Sequence, residues 1–358
     1  MNASTSDEQR MLAESARKVL LPKDGEAPAC WADFAELGWL ALPVPEAHGG
    51  LGGGLPDLCV LAEELGRGLS DEPYVACAVL AGQLLADAAP PAVAAQWLPA
   101  LAEGRSRIAF APFEPGARHD ARAVATQARR VGAEGAWQID GVKALALGGA
   151  GADAWLLLAH CGTERLGLFL VEAQASGVQQ QVHALYDGRQ AASLQLQGTP
   201  AQLLREGQPA EMHACVAQAL QRAAVVHAAE TVGSMARAFD ITREYLGTRR
   251  QFGQAIAANQ VVQHRLVDLY VEIEELRALV RAAAAAPQAS LVHAAAALAA
   301  QVARHVWEES IQLHGAIGMT EEYAVGRCVR RLALAASAYG DHHHHLAALA
   351  DELIGEAP

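Results

Sequence analysis

Two kinds of patterning divide the chain, and their order restricts what it can fold into. Between Pro209 and Pro358 the sequence has one proline, Pro287, and long Ala- and Leu-rich stretches with few helix breakers. Val262, Leu266, Leu269, Ile273 and Leu276 share one face of a helix expected from about Asn259 through Ala285. Pro287 ends that helix and Ser290 is placed to cap the next, with a last helix expected over residues 322–337. Long helices joined by short loops indicate an antiparallel bundle. From about residue 106 to residue 200 the pattern changes. RIAFAPFEP, DAWLLLAH, LGLFLVEA and ASLQLQG are short apolar or alternating runs bounded by Gly, Asp and Pro, the pattern of a small antiparallel β unit. Residues 1 to about 104 are again helical, with breaks. The expectation is an α+β chain: helices over 1–104, a β domain over 105–204 and a helical bundle over 205–358.

Composition agrees with close-packed helices, since 52% of residues are hydrophobic but only 5% are aromatic. A net charge of −13 argues against a nucleic-acid binder, which needs a basic face to release counterions. The six cysteines are scattered and form no C-x-x-C pair, so they read as reduced packing residues. The start, MNASTSDEQRMLAESARKVL, lacks the basic then apolar order of a signal peptide, and no run of 18 apolar residues occurs. A cytoplasmic protein without a membrane span is expected. Five glycines fall in the six positions Gly49–Gly54, but no Lys-Ser/Thr follows, so the run reads as a turn and not as a phosphate cradle.

Three stretches carry a family resemblance: REYLGTRRQFGQAIAANQVVQHRLVDLYVEIEELR, QLHGAIGMTEEYAVGRCVRRL and the early LGWLALPVPEAHGGLGGG. With the helix–β–helix order they make the chain resemble the acyl-CoA dehydrogenases over almost its whole length. The resemblance implies that fold: an N-terminal helical domain, a middle β-barrel-like domain and a C-terminal four-helix bundle. It further implies FAD as cofactor and conversion of an acyl-CoA thioester to the 2-enoyl-CoA, with electrons leaving to an electron-transfer flavoprotein. Arg249, Gln251, Phe252 and Gln260, together with Gln312, Gly315 and Gly318, match positions that hold the pyrophosphate and adenine half of FAD, generally that of a neighbouring subunit. A guanidinium fork suits a diphosphate, and glycines allow close backbone approach. Ala316 replaces the second glycine of the family's Q-x-x-G-G-x-G turn. In the β region Glu114 and Pro115 match the first flavin strand. Where many members carry a W-x-T-like turn, this chain has Ala144-Leu145-Ala146-Leu147-Gly148-Gly149 and no hydroxyl.

The catalytic carboxylate is missing from both places the family uses. Its usual position, after the Arg-rich helix, falls on Tyr339, which is no effective base near neutral pH. The alternative position, on the first bundle helix, falls on Ala223. Glu230, seven residues on, is about two turns or ~10 Å away, and Asp341 lies two residues beyond Tyr339. Two readings follow: a homotetramer using Glu230 or Asp341 as the base, or, preferred, a subunit of a heteromer whose sister chain supplies the Glu. The ending YGDHHHHL resembles small subunits of bacterial α2β2 dehydrogenases acting on dicarboxylic or steroid side-chain CoA thioesters. Arg222 is a candidate for the CoA phosphates. A third reading makes His342–His345 a metal site. Consecutive helical residues point about 100° apart, so four such histidines do not converge on one ion, and no metal is expected.

Overall fold

The structure, a computed structural model, describes residues 6–21, 27–132, 136–320 and 323–355. Residues 321 and 322, within the second of the three motif stretches and at the expected start of the last helix, lie outside the described residues. Five helices come first: α1 (Asp7–Leu20), α2 (Trp31–Glu36), α3 (Leu55–Arg67), α4 (Gly82–Ala88) and α5 (Pro91–Ala102). Seven strands follow: β1 (Ile108–Phe110), β2 (Gln127–Val131), β3 (Ala136–Leu147), β4 (Ala154–His160), β5 (Leu166–Glu172), β6 (Val178–Ala184) and β7 (Gln190–Gly207). Then come α6 (Pro209–Thr248), a small hairpin of β8 (Arg250–Gln251) and β9 (Gln254–Ala255), and four helices, α7 (Gln260–Ala285), α8 (Ala289–His314), α9 (Ala324–Ala335) and α10 (His342–Gly355). No helix among the described residues is long and apolar enough to cross a membrane.

Packing groups the chain into two compact units, one of Met1–Ala29, Leu55–Ser70 and Ala224–Pro358, the other of Cys30–Gly54 and Asp71–Ala223. In the second unit the strands close on themselves. β2 pairs with β3, β3 with β7, β7 with β5, β5 with β4, and β4 returns to β2, while β1 and β6 attach to β4 and β7. Closure removes the sheet edges and turns one side-chain face inward. Trp155, Leu157, Phe169, Val171 and Leu194 fill that interior, all 1% exposed or less. The expected purely antiparallel unit is corrected here: β1–β4 and the β2–β4 bridge are parallel. Long-range pairing of this kind leaves no trace in local alternation.

A buried ion pair braces the same unit. Lys143 Nζ on β3 donates to Glu114 Oε1 at 2.7 Å, and Glu114 also accepts from the Thr126 hydroxyl at 2.6 Å and from the Ala125 and Thr126 amides. Burial pushes the Glu114 carboxyl up, but the Lys143 charge and these hydrogen bonds outweigh it and hold it below the usual carboxylate range. The pair ties the segment after β1 to the segment that opens β2 and to the end of β3.

In the helical unit α3 and α6 cross with almost no space between their backbones. A Cβ on Gly66 would lie 1.8 Å from the Glu230 carbonyl oxygen, and one on Gly233 would lie 1.8 Å from that of Glu63. Only glycine fits either place. α7 and α8 are joined by Arg265, which makes two hydrogen bonds of 2.7 and 2.8 Å to Glu309, and by His305 to Glu272 at 2.7 Å. Asn259 precedes α7 as expected, but Gln288, not Ser290, is the N-cap of α8. The last expected helix is shorter, Ala324–Ala335, and α10 follows it as a separate helix.

Candidate active site and cofactor-binding turns

The residues matched to the nucleotide half of the cofactor lie at two helix ends. α6 runs out at Thr248, and the chain makes a two-residue turn between β8 and β9 with Phe252 at φ +50° and Gly253 at +82°. Phe252 is 100% exposed, an unusual place for a phenyl ring. Arg249, Gln251 and Gln260 are exposed beside it. The second end is that of α8, where Gln312 is exposed, Gly315 turns at φ +67° and Gly318 backs onto His314. Tyr245, one turn before Arg249, joins the two ends: its ring stacks on His314 at 4.5 Å and its hydroxyl donates to the His314 carbonyl at 3.4 Å. Both groups of matched residues therefore share one neighbourhood. The side chains of Arg249, Gln251, Gln260 and Gln312 have no hydrogen bond or ion pair among the described residues, so their donors are free for a ligand.

In the strand unit, the stretch that replaces the W-x-T-like turn is a bulge. The pairing of β3 with β7 slips between Lys143 and Ala146, and Leu145 takes φ +45° with its side chain 54% exposed. The Ala144 amide donates to the Phe113 carbonyl at 2.9 Å, which lays this bulge beside the Glu114-Pro115 segment. The Leu145 amide donates to the Ser193 hydroxyl at 3.2 Å, and His183 Nε2 lies 3.0 Å from the same oxygen. Thus one backbone donor that could replace the missing threonine hydroxyl is already engaged.

The two candidate bases are also engaged. Glu230 is 6% exposed, with Oε2 3.0 Å from His227 Nδ1 and Oε1 3.9 Å from Arg331 Nη1. His227 Nε2 is 3.2 Å from the Ala335 carbonyl oxygen, which only accepts. The Nε2–H is therefore used there, and the Nδ1–Glu230 contact needs one further proton on either the imidazole or the carboxyl. Arg331, 2% exposed, donates to the Ser70 carbonyl at 2.7 Å, and Arg327 donates to that of Leu69 at 2.9 Å. These arginines satisfy carbonyls just beyond the end of α3. Asp341 precedes α10 and acts on it as a cap: its Oδ1 accepts from the His344 amide at 2.8 Å and its carbonyl from the His345 amide at 3.1 Å. Tyr339, at φ +57°, lays its ring 5.1 Å from that of His227. Arg222, on α6, donates to Asp87 of α4 at 2.5 Å.

His342–His345 form the first turn of α10, and their partners differ. His342 Nδ1 is 3.0 Å from the Ala297 carbonyl oxygen, and His345, 3% exposed, has Nδ1 3.0 Å from Nδ1 of His293 on α8. Among the described residues no three His, Cys, Asp or Glu side chains converge to hold a metal ion. The run docks α10 onto α8. Sequence reasoning missed His227, Arg331, Lys143 and Ser193. Only His227 had a signal, its spacing of three from Glu230 on one helix.

Two family models match the chain: "Acyl-CoA dehydrogenase, N-terminal domain" over residues 6–105 and "Acyl-CoA dehydrogenase, C-terminal domain" over residues 213–354. The chain belongs to the acyl-CoA dehydrogenase family. Among curated relatives, acyl-CoA dehydrogenase fadE12 of Mycobacterium tuberculosis is 27% identical over 324 residues, 85% of this chain and 82% of that protein. Among solved structures, the Tcur3481-Tcur3483 steroid ACAD G363A variant superposes with a TM-score of 0.85 at 28% identity, covering 98% of this chain and 99% of that one. The ChsE4-ChsE5 complex from Mycobacterium tuberculosis shares the fold, with a TM-score of 0.87 at 23% identity and full coverage of both chains. Acyl-CoA dehydrogenases are flavin-dependent oxidoreductases acting on CH–CH bonds. The helical–sheet–helical architecture expected from the sequence is that of the family.

The chemistry of the free donors fits the nucleotide half of FAD. One guanidinium and three amides, with glycine turns that leave their surface open, suit a diphosphate and its flanking groups. Exposure of all four donors, and of Phe252, suits a ligand that approaches from outside this unit's own packing.

Proposed function

We propose that this chain is one subunit of a heteromeric, FAD-dependent acyl-CoA dehydrogenase whose homologous partner subunit supplies the catalytic Glu, and that the assembly is a cytoplasmic α2β2 tetramer. FAD, when bound, would supply the hydride acceptor for the reaction. The residues of this chain hold its nucleotide half: Arg249 on the pyrophosphate, Gln251, Gln260 and Gln312 around it, Phe252 against the adenine side. Gly315 and Gly318 open the turn on which that half rests. An electron-transfer flavoprotein would be the electron acceptor of the assembly. The steroid ACAD relative, Tcur3481-Tcur3483, joins two components in its name and supports both a two-chain assembly and a bulky, steroid-derived acyl group.

One observation carries the reading. Where the family has its carboxylate this chain has Tyr339, and the two nearest acids are each committed, Glu230 to His227 and Asp341 to the start of α10. A base must take up a proton with its lone pair free toward the substrate. The test is an absorbance spectrum of the purified chain, alone and after co-expression with a homologous dehydrogenase subunit. Flavin colour and acyl-CoA bleaching that require the partner are expected. A chain that is yellow alone and bleached by an acyl-CoA overturns the reading.

A second reading, a homotetramer active alone, draws on Glu230. Its Oε2 lies 3.0 Å from His227 Nδ1, within reach of a group to which a base could hand its proton. Arg222 and Asp341 would then serve the CoA phosphates and the base position only after leaving Asp87 and His344.

A further inference from the structure

A groove in the helical unit lies outside everything assigned above. α1 and α7 form its walls, α3 and α6 its floor, and its volume is about 490 Å³, within the range of small-molecule sites. Each wall is pinned to the floor. On the α1 side Gln9 donates to Asp57 at 2.9 Å and Arg17 donates to Glu64 at 2.9 and 2.5 Å. On the α7 side Arg277 donates to Glu63 at 2.9 Å. The gap between α1 and α7 is therefore held open by ion pairs that use Glu63 and Glu64.

The lining is amphipathic. Val60, Val232 and Ala229 give it an apolar floor, Val280 and Ala13 continue that surface up the walls, and Cys59 adds to it, because burial pushes its thiol far above the usual range and leaves it uncharged. The charged residues are four arginines (Arg10, Arg17, Arg277, Arg281) and three glutamates (Glu14, Glu63, Glu64); Arg10 is paired with Asp7, outside the lining, so the remaining charges balance. Arg281 makes no ion pair or hydrogen bond among the described residues. One unpaired guanidinium beside an apolar surface is complementary to one negative charge on an apolar body. A polyanion such as a CoA moiety is disfavoured by the three glutamates.

We propose that this groove binds a monovalent amphipathic carboxylate, its apolar body on the valine floor and its carboxylate on Arg281. A linear fatty acid and a polycyclic steroid acid share that chemistry. Titration calorimetry of the whole protein with decanoate and with cholate separates them. Binding of either supports the site and tells which body it takes.

Two variants place the ligand. Arg281→Gln removes the charge from an exposed position and is expected to weaken binding roughly tenfold. Ala284→Trp, on the same wall of α7, fills the groove and is expected to abolish it. Decanol is expected to bind at least as weakly as decanoate binds to Arg281→Gln. Absence of binding by both acids overturns the proposal. So does binding that both variants leave unchanged, which would put the acid elsewhere. Thermal melting of each variant confirms that it is folded, and Arg281→Gln alone decides the matter if Ala284→Trp is not.

Discussion

Tyr339 lies with its ring centroid 5.1 Å from that of His227, the two planes tilted by 53°, so the residue that follows α9 and precedes α10 is packed as half of an aromatic pair. Such a contact contributes about 0.5–1.5 kcal/mol beyond the area it buries. Tyr339 adopts φ +57°, a conformation that costs most residues roughly 1 kcal/mol or more, and the packing offsets it.

Tyr339→Phe tests whether the phenol does chemistry. It keeps the ring on His227 and removes the hydroxyl. Under the proposed reading kcat of the assembled enzyme stays within about twofold of wild type, since a phenol contributes no base near neutral pH. A loss of a hundredfold or more would assign the hydroxyl a role in the reaction.

Glu230→Gln separates a structural carboxyl from a catalytic one. The amide can still meet His227 but cannot balance a charge on it or on Arg331, so a stability loss of about 1–3 kcal/mol is expected in denaturant melts. Turnover by the assembled enzyme should be nearly unchanged. If the chain is the self-sufficient dehydrogenase instead, the same substitution removes the base and kcat falls by orders of magnitude while substrate binding persists.

The helices were legible because their signals are local. Asn259 before α7 and Pro287 after it mark its ends, and the 262–276 apolar stripe gives its inward face, with Leu269, Ile273 and Leu276 fully buried. The cap of α8 was misread because a serine is the better side-chain cap in isolation, yet α8 starts two residues earlier, where the chain leaves Pro287. Closure of the β unit was not legible. It depends on β4 meeting both β5 and β2, and the β2 contact is a single bridge between Gln127 and His160. Asp341 could have been read as a helix cap, being an acid at the start of a helical run. The commitment of Glu230 to Arg331, a hundred and one residues away, had no local signal at all.

Acid should destabilise the fold in two stages. Burial holds His293, His314 and His213 below the ordinary histidine value of 6.5, that is, toward the neutral form. For His293 the neighbouring His344 adds to this and Glu352 opposes it; for His314 the Ser310 carbonyl opposes it; for His213 Arg122 and His160 add and Asp120 opposes. The unfolded chain thus binds more protons than the folded one, and stability rises with pH in this range. It is fully present above about 6.5 and is lost as pH falls from there toward the lower folded values. The second stage belongs to Glu114, whose folded pKa is below the ordinary 4.5: its contribution holds above that value and disappears as pH falls through the folded one. Urea midpoints between pH 8 and pH 2 should show both, and His293→Asn should flatten the first. A midpoint that rises on acidification through the first stage would contradict the burial of these imidazoles.

Arg249→Gln and Phe252→Ala act on an exposed turn whose two altered side chains make no hydrogen bond or ion pair among the described residues. The hairpin of β8 and β9 has only two residues in each strand, Phe252 is 100% exposed, and the Arg249 side chain has no partner among the described residues. Neither substitution removes a packed group, so the melting temperature of the isolated chain should move by no more than about 1–2 °C, as for ordinary surface changes. The assembled enzyme should respond differently. Losing one charge-assisted contact to a diphosphate costs about 1.5–3 kcal/mol, or roughly tenfold to a hundredfold in affinity. The flavin-to-protein absorbance ratio after gel filtration should fall for Arg249→Gln, with Phe252→Ala lowering it by less. A ratio equal to wild type in both would show that this turn does not hold the nucleotide, and would move the search to other exposed donors of the helical unit.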